Sequence, residues 1–295
     1  MHNLLKVGVV LCMSPATLGC GKKPVIPVPD AAPAALPVGC AIAAVLRPPA
    51  FPALGGAWAA ILDSRGLKGS ELKSAGFDFQ HEVTRVSYCA ASTAQGSRKA
   101  FVVIASGEIP GKLLEERIGN SKQGMTTETA GHTVISGQGG VWLARRGPLV
   151  GQSEVLISND HDLLTATIVG PAGSYHLDEA SSFSAVIAGT EIRSQHGAGA
   201  GRSDLDAVQA VRLAVSPGMD ALMIRLVVDD HSVSDKLAKN VGVALSAIVR
   251  RLLGDGHGPP DVSTASAGGD VVARLGFPEH GLDSMVERMV ASRGR

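Results

Sequence analysis

The chain has 295 residues, 45% of them hydrophobic and 18% charged, enough to bury one large core or two ordinary ones. Lys+Arg and Asp+Glu balance at 27 each, and basic residues adjoin at most in pairs such as Lys22–Lys23 and Arg250–Arg251, which excludes the extended positive field that gathers nucleic acid. Aromatic residues at 3% remove the stacking platforms that single strands and sugars use, and 36 Gly point to tight packing of small residues.

In chain order, residues 1–19 carry one charge at Lys6, an apolar segment from Val7 to Met13, and small residues ahead of Cys20. That is the layout of a signal peptide. The apolar segment is too short to cross about 30 Å of hydrocarbon, and no later stretch approaches about 18 consecutive apolar residues, so export is expected and membrane embedding is not. Thr17-Leu18-Gly19-Cys20 resembles the lipobox of bacterial lipoproteins, with Thr17 where that family usually has Leu. The resemblance implies that Cys20 is acylated on sulfur and becomes the mature N-terminus, with the lipid bilayer as partner; ordinary cleavage is the alternative. Gly21 stands where the inner-membrane retention signal has Asp, which favours the outer membrane. Behind Cys20, Pro24, Pro27, Pro29, Pro33 and Pro37 fix φ and remove donors, so residues 20–39 are expected to form an extended tether. At about 3.1 Å per residue it would hold a body up to about 60 Å from the bilayer. A disordered N-terminal segment without a spacing role has the same composition.

The body is expected to be α+β, mainly antiparallel curved sheet with helices packed on one face, in two halves, 40–180 and 181–295. Cys40 to Arg47 reads as a buried strand and Leu54 to Arg65 as a helix stopped by Gly66. Strands follow at Val83 to Ala91 and Lys99 to Ser106, then a helix from Pro110 to Ile118. Strand-like runs are Thr126 to Ser136, Val141 to Arg145 and Val155 to Ser158, and His161 to Val169 reads as a helix. The second half opens on the buried strand "FSAVIAG" from Phe183, continues through "HGAGAGRSD" (196–204), and has strands at Val208 to Val215 and Ala221 to Val228. A helix over Val233 to Leu253 follows from apolar residues at Val233, Leu237, Val241, Leu245, Ile248 and Leu252, with Ser232 or Ser234 as cap and Gly254 behind. Strands at Val262 to Ser266 and Val271 to Phe277 and a helix over Leu282 to Val290 close the chain. The two halves share this serial order, which a tandem duplication or generic α+β alternation would both produce.

Of four Cys, Cys12 leaves with the signal and Cys20 is the expected lipidation site, so Cys40 and Cys89 remain. In an oxidising compartment they are candidates for a disulfide, or else for two buried thiols.

The five common self-announcing motifs for zinc, redox, nucleotide, calcium and α/β-hydrolase sites are absent from the sequence. Ser70-Glu-Leu-Lys73 has the S-x-x-K spacing of penicillin-binding proteins and β-lactamases but lacks the accompanying K-T-G, and a helix cap is the better reading of Ser70. His161 between Asp160 and Asp162, and His231 after Asp229-Asp230, place an imidazole beside carboxylates, an arrangement better explained by caps and turns than by a metal. Gly197, Gly199 and Gly201 with Arg202 do not have the G-x-G-x-x-G spacing of a phosphate loop. The apolar stripe of the long helix fits either core packing or the lining of a lipid cavity. No cofactor, metal or catalytic residue is expected. The sequence therefore points to a non-catalytic, envelope-anchored lipoprotein that binds an unidentified envelope protein or ligand; a periplasmic carrier of an apolar ligand and an envelope hydrolase are the rivals.

Overall fold

The uncharged run Cys40–Leu46 forms strand β1, and six of its seven residues are buried in succession. A strand buried residue after residue must be covered on both faces, and β1 lies at the centre of the sheet for that reason. The computed structural model describes residues 36–50, 79–91, 100–109, 126–129, 131–136, 140–146, 153–178, 180–195, 204–215, 221–253 and 261–277.

The other strands are β2 (Val83–Ala91), β3 (Phe101–Gly107), β4 (Thr126–Thr129), β5 (His132–Ser136), β6 (Trp142–Arg146), β7 (Ser153–Ser158), β8 (Phe183–Ala188), β9 (Val208–Val215), β10 (Ala221–Val228), β11 (Asp261–Ala267) and β12 (Asp270–Gly276). They form one open, curved 12-stranded sheet in the order β11-β12-β10-β9-β8-β1-β2-β3-β7-β6-β5-β4. Every neighbouring pair is antiparallel. The central pair, β1 and β8, sets Ile42 opposite Ile187 and Ala43 opposite Val186, and from it a first wing runs out to β4 and a second to β11.

Because successive side chains point to opposite faces, the register sorts the core into two layers. Ala43, Cys89, Val102, Ile104, Val134, Ala144 and Leu156 form a cluster on one face with Leu164 of helix α2 (His161–Val169). Ile42, Ile187, Ile224, Leu226, Val271 and Ala273 form another on the opposite face, with Ile192 of helix α3 (Gly189–Gln195) and Leu237 and Ala238 of helix α4 (Ser234–Leu253). Leu156 and Leu164 are both 0% exposed, and burying each contributes about 1.5–3 kcal/mol. Helix α1 (Phe79–Glu82) is a single turn leading into β2.

Local chemistry sets the ends of these elements. Asp160 caps α2, its carboxylate accepting from Leu163 N at 2.8 Å, and Gly170 N closes the helix on Ala166 O at 2.8 Å; the acidic cap foreseen beside His161 is therefore present. Asp230 caps a 3-10 turn over His231–Val233 by accepting from Ser232 N, while the Ser234 hydroxyl donates to Gly269 O. Gly268 and Gly269, at φ 60 and 89, make the two-residue turn of the β11–β12 hairpin, whose twist requires positive φ at both positions.

The structure corrects several expectations. Among the described residues the chain is nearly all sheet with few helices, not α+β. The described helices do not share one face: α2 lies on the face opposite α3 and α4, because central strands that are apolar on both faces require cover on both. The run Thr126 to Ser136 is a hairpin, β4 and β5, turned at Gly131 with φ 77, and α3 was not foreseen after "FSAVIA". Strands β2, β9 and β10, helix α2, and the long helix to within one residue stand as read. The helices expected at Leu54 to Arg65, Pro110 to Ile118 and Leu282 to Val290 lie outside the described residues.

Candidate functional site

Strand β1 meets β2 with Cys40 opposite Ala91 and Ala43 opposite Cys89, after a register shift between Cys40 and Ile42. The two cysteines thus lie diagonally on one face and are joined: S–S is 2.07 Å and Cα–Cα 5.3 Å, across a sequence separation of 49. The bridge decides between the two readings of these residues. Cys89 is 0% exposed within the cluster that includes Leu36 and Leu164.

The segment just before Cys40 is fastened to the body by further contacts. Leu36 is 4% exposed, Pro37 forms a β-bridge with Ala172, and Gly173 N donates to Leu36 O at 2.7 Å. The Tyr175 hydroxyl donates to Pro37 O at 2.6 Å and accepts from Cys40 N at 2.8 Å. Burial raises the Tyr175 pKa, and the Cys40 N–H offsets part of that rise, so the phenol stays protonated and keeps both bonds. The ordered fold therefore reaches back to Leu36, inside the stretch read as tether. A pull on the N-terminal segment meets the Tyr175 bonds and the disulfide at Cys40 before it reaches the rest of β1.

A second arrangement lies on the second wing, on the face away from α3 and α4. Arg212 of β9 is directly opposite Arg225 of β10, with Val186 of β8 on its other side. Arg225 is partnered, its Nε and Nη2 donating to Asp270 Oδ2 at 2.7 and 2.6 Å, while Asp270 Oδ1 accepts from Val228 N at 3.2 Å. Arg274 is likewise paired with Asp261 at 3.1 Å. Arg212 is half-buried, and its Nε, shielded from solvent, has no hydrogen-bond partner. A shielded donor left without an acceptor costs roughly 1–3 kcal/mol, and like charges directly across a strand pair are unfavourable. Neither Tyr175 nor Arg212 was singled out in the sequence. Val211-Arg212-Leu213 and Ile224-Arg225-Leu226, each an arginine in the middle of an apolar strand, were the available signal.

The remaining sequence candidates are not brought together. Cys20, Ser70, Lys73 and the glycines of 196–203 lie outside the described residues. His161 packs edge-on against Trp142, ring centres 4.5 Å apart, with Nδ1 3.7 Å from Asp162 Oδ1. No group of three or more His, Cys, Asp or Glu placed to hold a metal ion occurs among the described residues. The α4 stripe packs against the sheet: a Cβ on Gly242 would stand 3.2 Å from Thr264 Oγ1, so helix and strand are in contact there. Two exposed aspartates sit in tight turns. Asp178 is held below the usual carboxylate range chiefly by Ser181 Oγ, donating at 2.6 Å, then by Ala180 N. Asp230 is held low by the hydroxyl and backbone N–H of Ser232.

No protein-family model matches the chain, and no curated protein matches it. Among solved structures, crystal form III of TP0453 is similar with 12% identity over 88% of this chain and 97% of that one, TM-score 0.49. Crystal form I of TP0453 gives 13% identity, 88% and 96% coverage and TM-score 0.48. A likeness this faint sets neither an activity nor a ligand for this chain.

Proposed function

We propose that the protein is a non-catalytic lipoprotein of the cell envelope, anchored through acylated Cys20 and carrying a sheet body that binds an envelope protein or ligand in the periplasm or at the cell surface. The observation that carries this reading is the signal-like segment ending in Thr17-Leu18-Gly19-Cys20. The Cys40–Cys89 bridge supports it, because structural disulfides persist in oxidising compartments outside the cytoplasm. The fastening of Leu36 and Pro37 by Tyr175 and Gly173 suits a body hung from its N-terminus. The outer membrane is favoured by Gly21.

The two wings are read as tandem halves. Outward from the centre, β1-β2-β3-β7-β6 and β8-β9-β10-β12-β11 follow one serial pattern: three consecutive strands, then a hairpin added in reverse order.

The test is the mass of the mature protein extracted from membranes of a native host, with thiols alkylated before and after reduction. A mass from Cys20 onward plus acyl chains, with no alkylation before reduction, is expected. A soluble, unacylated product would overturn the anchor and favour a freely diffusing carrier.

A further inference from the structure

We propose that Arg212 and Arg225 form a binding site for a phosphate group on the face of the second wing opposite α3 and α4. This names a ligand class for the binding body proposed above and rests on that reading only for the body's binding role; it does not depend on how the chain is anchored.

Cross-strand register carries the argument. Arg212 and Arg225 face each other directly on adjacent strands, where Cβ atoms stand about 4.5–5.5 Å apart. At that spacing one tetrahedral oxyanion can bridge the two guanidinium groups, meeting the Nη edge of Arg212 and, on Arg225, the Nη1 edge that Asp270 does not occupy. The carboxylate that pairs with Arg225 has no oxygen left for Arg212. Both oxygens of Asp270 are taken, one by the Arg225 fork and the other by Val228 N, and Asp261 is held by Arg274.

The residues directly beside Arg212 on this face carry no side-chain acceptor: Ala210 and Ala214 precede and follow it on its own strand, and Val186 lies across on β8. Its Nε is shielded yet unbonded, and a guanidinium cannot relieve this by shedding its proton. The charge is therefore fixed in a setting of small and apolar side chains, and an anion at the outer Nη edge of the guanidinium compensates it. The face is reachable. Arg225 and Arg274 have side chains 53% and 42% exposed, and Met223, which shares this face, is 37% exposed.

The test is thermal unfolding of the purified full chain in nonionic detergent, from whichever cell fraction holds it, titrated at constant ionic strength with inorganic phosphate and separately with glycerol phosphate. Ligand that binds only the folded state raises the midpoint saturably. A saturable rise is expected with at least one of the two probes. Tighter action of glycerol phosphate would assign the site to a phosphate ester, and tighter action of inorganic phosphate to the free anion. Arg212→Met should weaken the response at least tenfold, while Arg274→Met, which alters a paired arginine on the same face, should leave it within twofold. Arg212→Lys keeps the charge without the fork and should fall between wild type and Arg212→Met; it serves as the readout if Arg212→Met does not fold. No saturable response to either probe in the wild type, or an undiminished response in the Arg212 variants, would overturn the site. Neither result bears on the mass of the mature protein, so the anchor and the phosphate site fail separately.

Discussion

The two wings of the sheet use similar strands but close their faces differently. In the first wing, buried residues stand on both sides: Val102, Ile104, Ala144 and Leu156 on one face, Val86, Leu143 and Val155 on the other, none more than 2% exposed. In the second wing, β10 alternates from Met223 onward. Ile224, Leu226 and Val228 are buried, whereas Met223 and Arg225 are exposed and Val227 is half-buried. The lesson is one of division of labour. A wing buried on both faces is committed to stability, while the second wing, whose described helices lie on one face, leaves Met223 and Arg225 exposed to solvent or a ligand on its freer face. The unsatisfied Arg212 lies on that freer face, and the disulfide on the committed wing and its border with β1.

The contrast can be broken at several points. Replacing both Cys40 and Cys89 by Ser should have the largest effect. A bridge spanning 49 residues stabilises by about 4 kcal/mol in the chain-entropy model. Denaturant unfolding should show that loss, and reductant should lower the wild type to the same midpoint while leaving the variant unchanged.

Next come paired core truncations, one per wing. Leu164→Ala beneath α2 and Leu237→Ala beneath α4, residues 0% and 2% exposed, should each cost about 3 kcal/mol through lost burial and the cavity left behind. Because β1 and β8 join both core layers in one sheet, each variant should lower a single common transition followed by circular dichroism. Two separate transitions, each moved by one variant only, would show that the wings unfold independently.

Tyr175→Phe should cost about 1–2 kcal/mol, since it removes the acceptor for Cys40 N and the donor to Pro37 O while keeping the ring. Its clearest readout is faster amide exchange at Cys40 and Gly173, with the far strands of both wings unaffected.

The smallest expected effect is acid sensitivity at Asp178. Its folded pKa is depressed by Ser181 and Ala180, so its contribution is present above the unfolded value of about 3.9 and is lost as pH falls through the lower folded value. Solvent screens this exposed group, so the change is small. Asp178→Asn should flatten the acid limb of stability below about pH 4 and leave stability at pH 7 lower by that same small amount. An unchanged acid limb would remove Asp178 from the account.

The sequence was most legible where local physics suffices. β10 was readable because Leu222, Ile224, Leu226 and Val228 repeat at a period of two, β2 and β9 because they are β-prone runs rich in Val, and α2 because Asp160 is a strong cap. The central placement of β1 was implicit in its uninterrupted apolar run. Thr126 to Ser136 misled because Gly131 interrupts a run that otherwise looks continuous. The short α3 lacked both a cap and enough turns to declare a helical period. The Cys40–Cys89 pair was legible as a candidate, since only these two cysteines remain once Cys12 and Cys20 are set aside.

What the amino-acid order determined by itself is local: the signal-like start, the strand periods, the long amphipathic helix and the cysteines available for a bridge. Tertiary structure decided the rest. Only strand register fixes which face a residue joins, since a slip of one position would send Arg212 to the opposite side. Only the sheet order makes Cys40 and Cys89 diagonal neighbours and brings Tyr175, far along the chain, to Pro37 and Cys40. Periodicity says that a strand has two faces; the packing of distant segments determines which of them is covered.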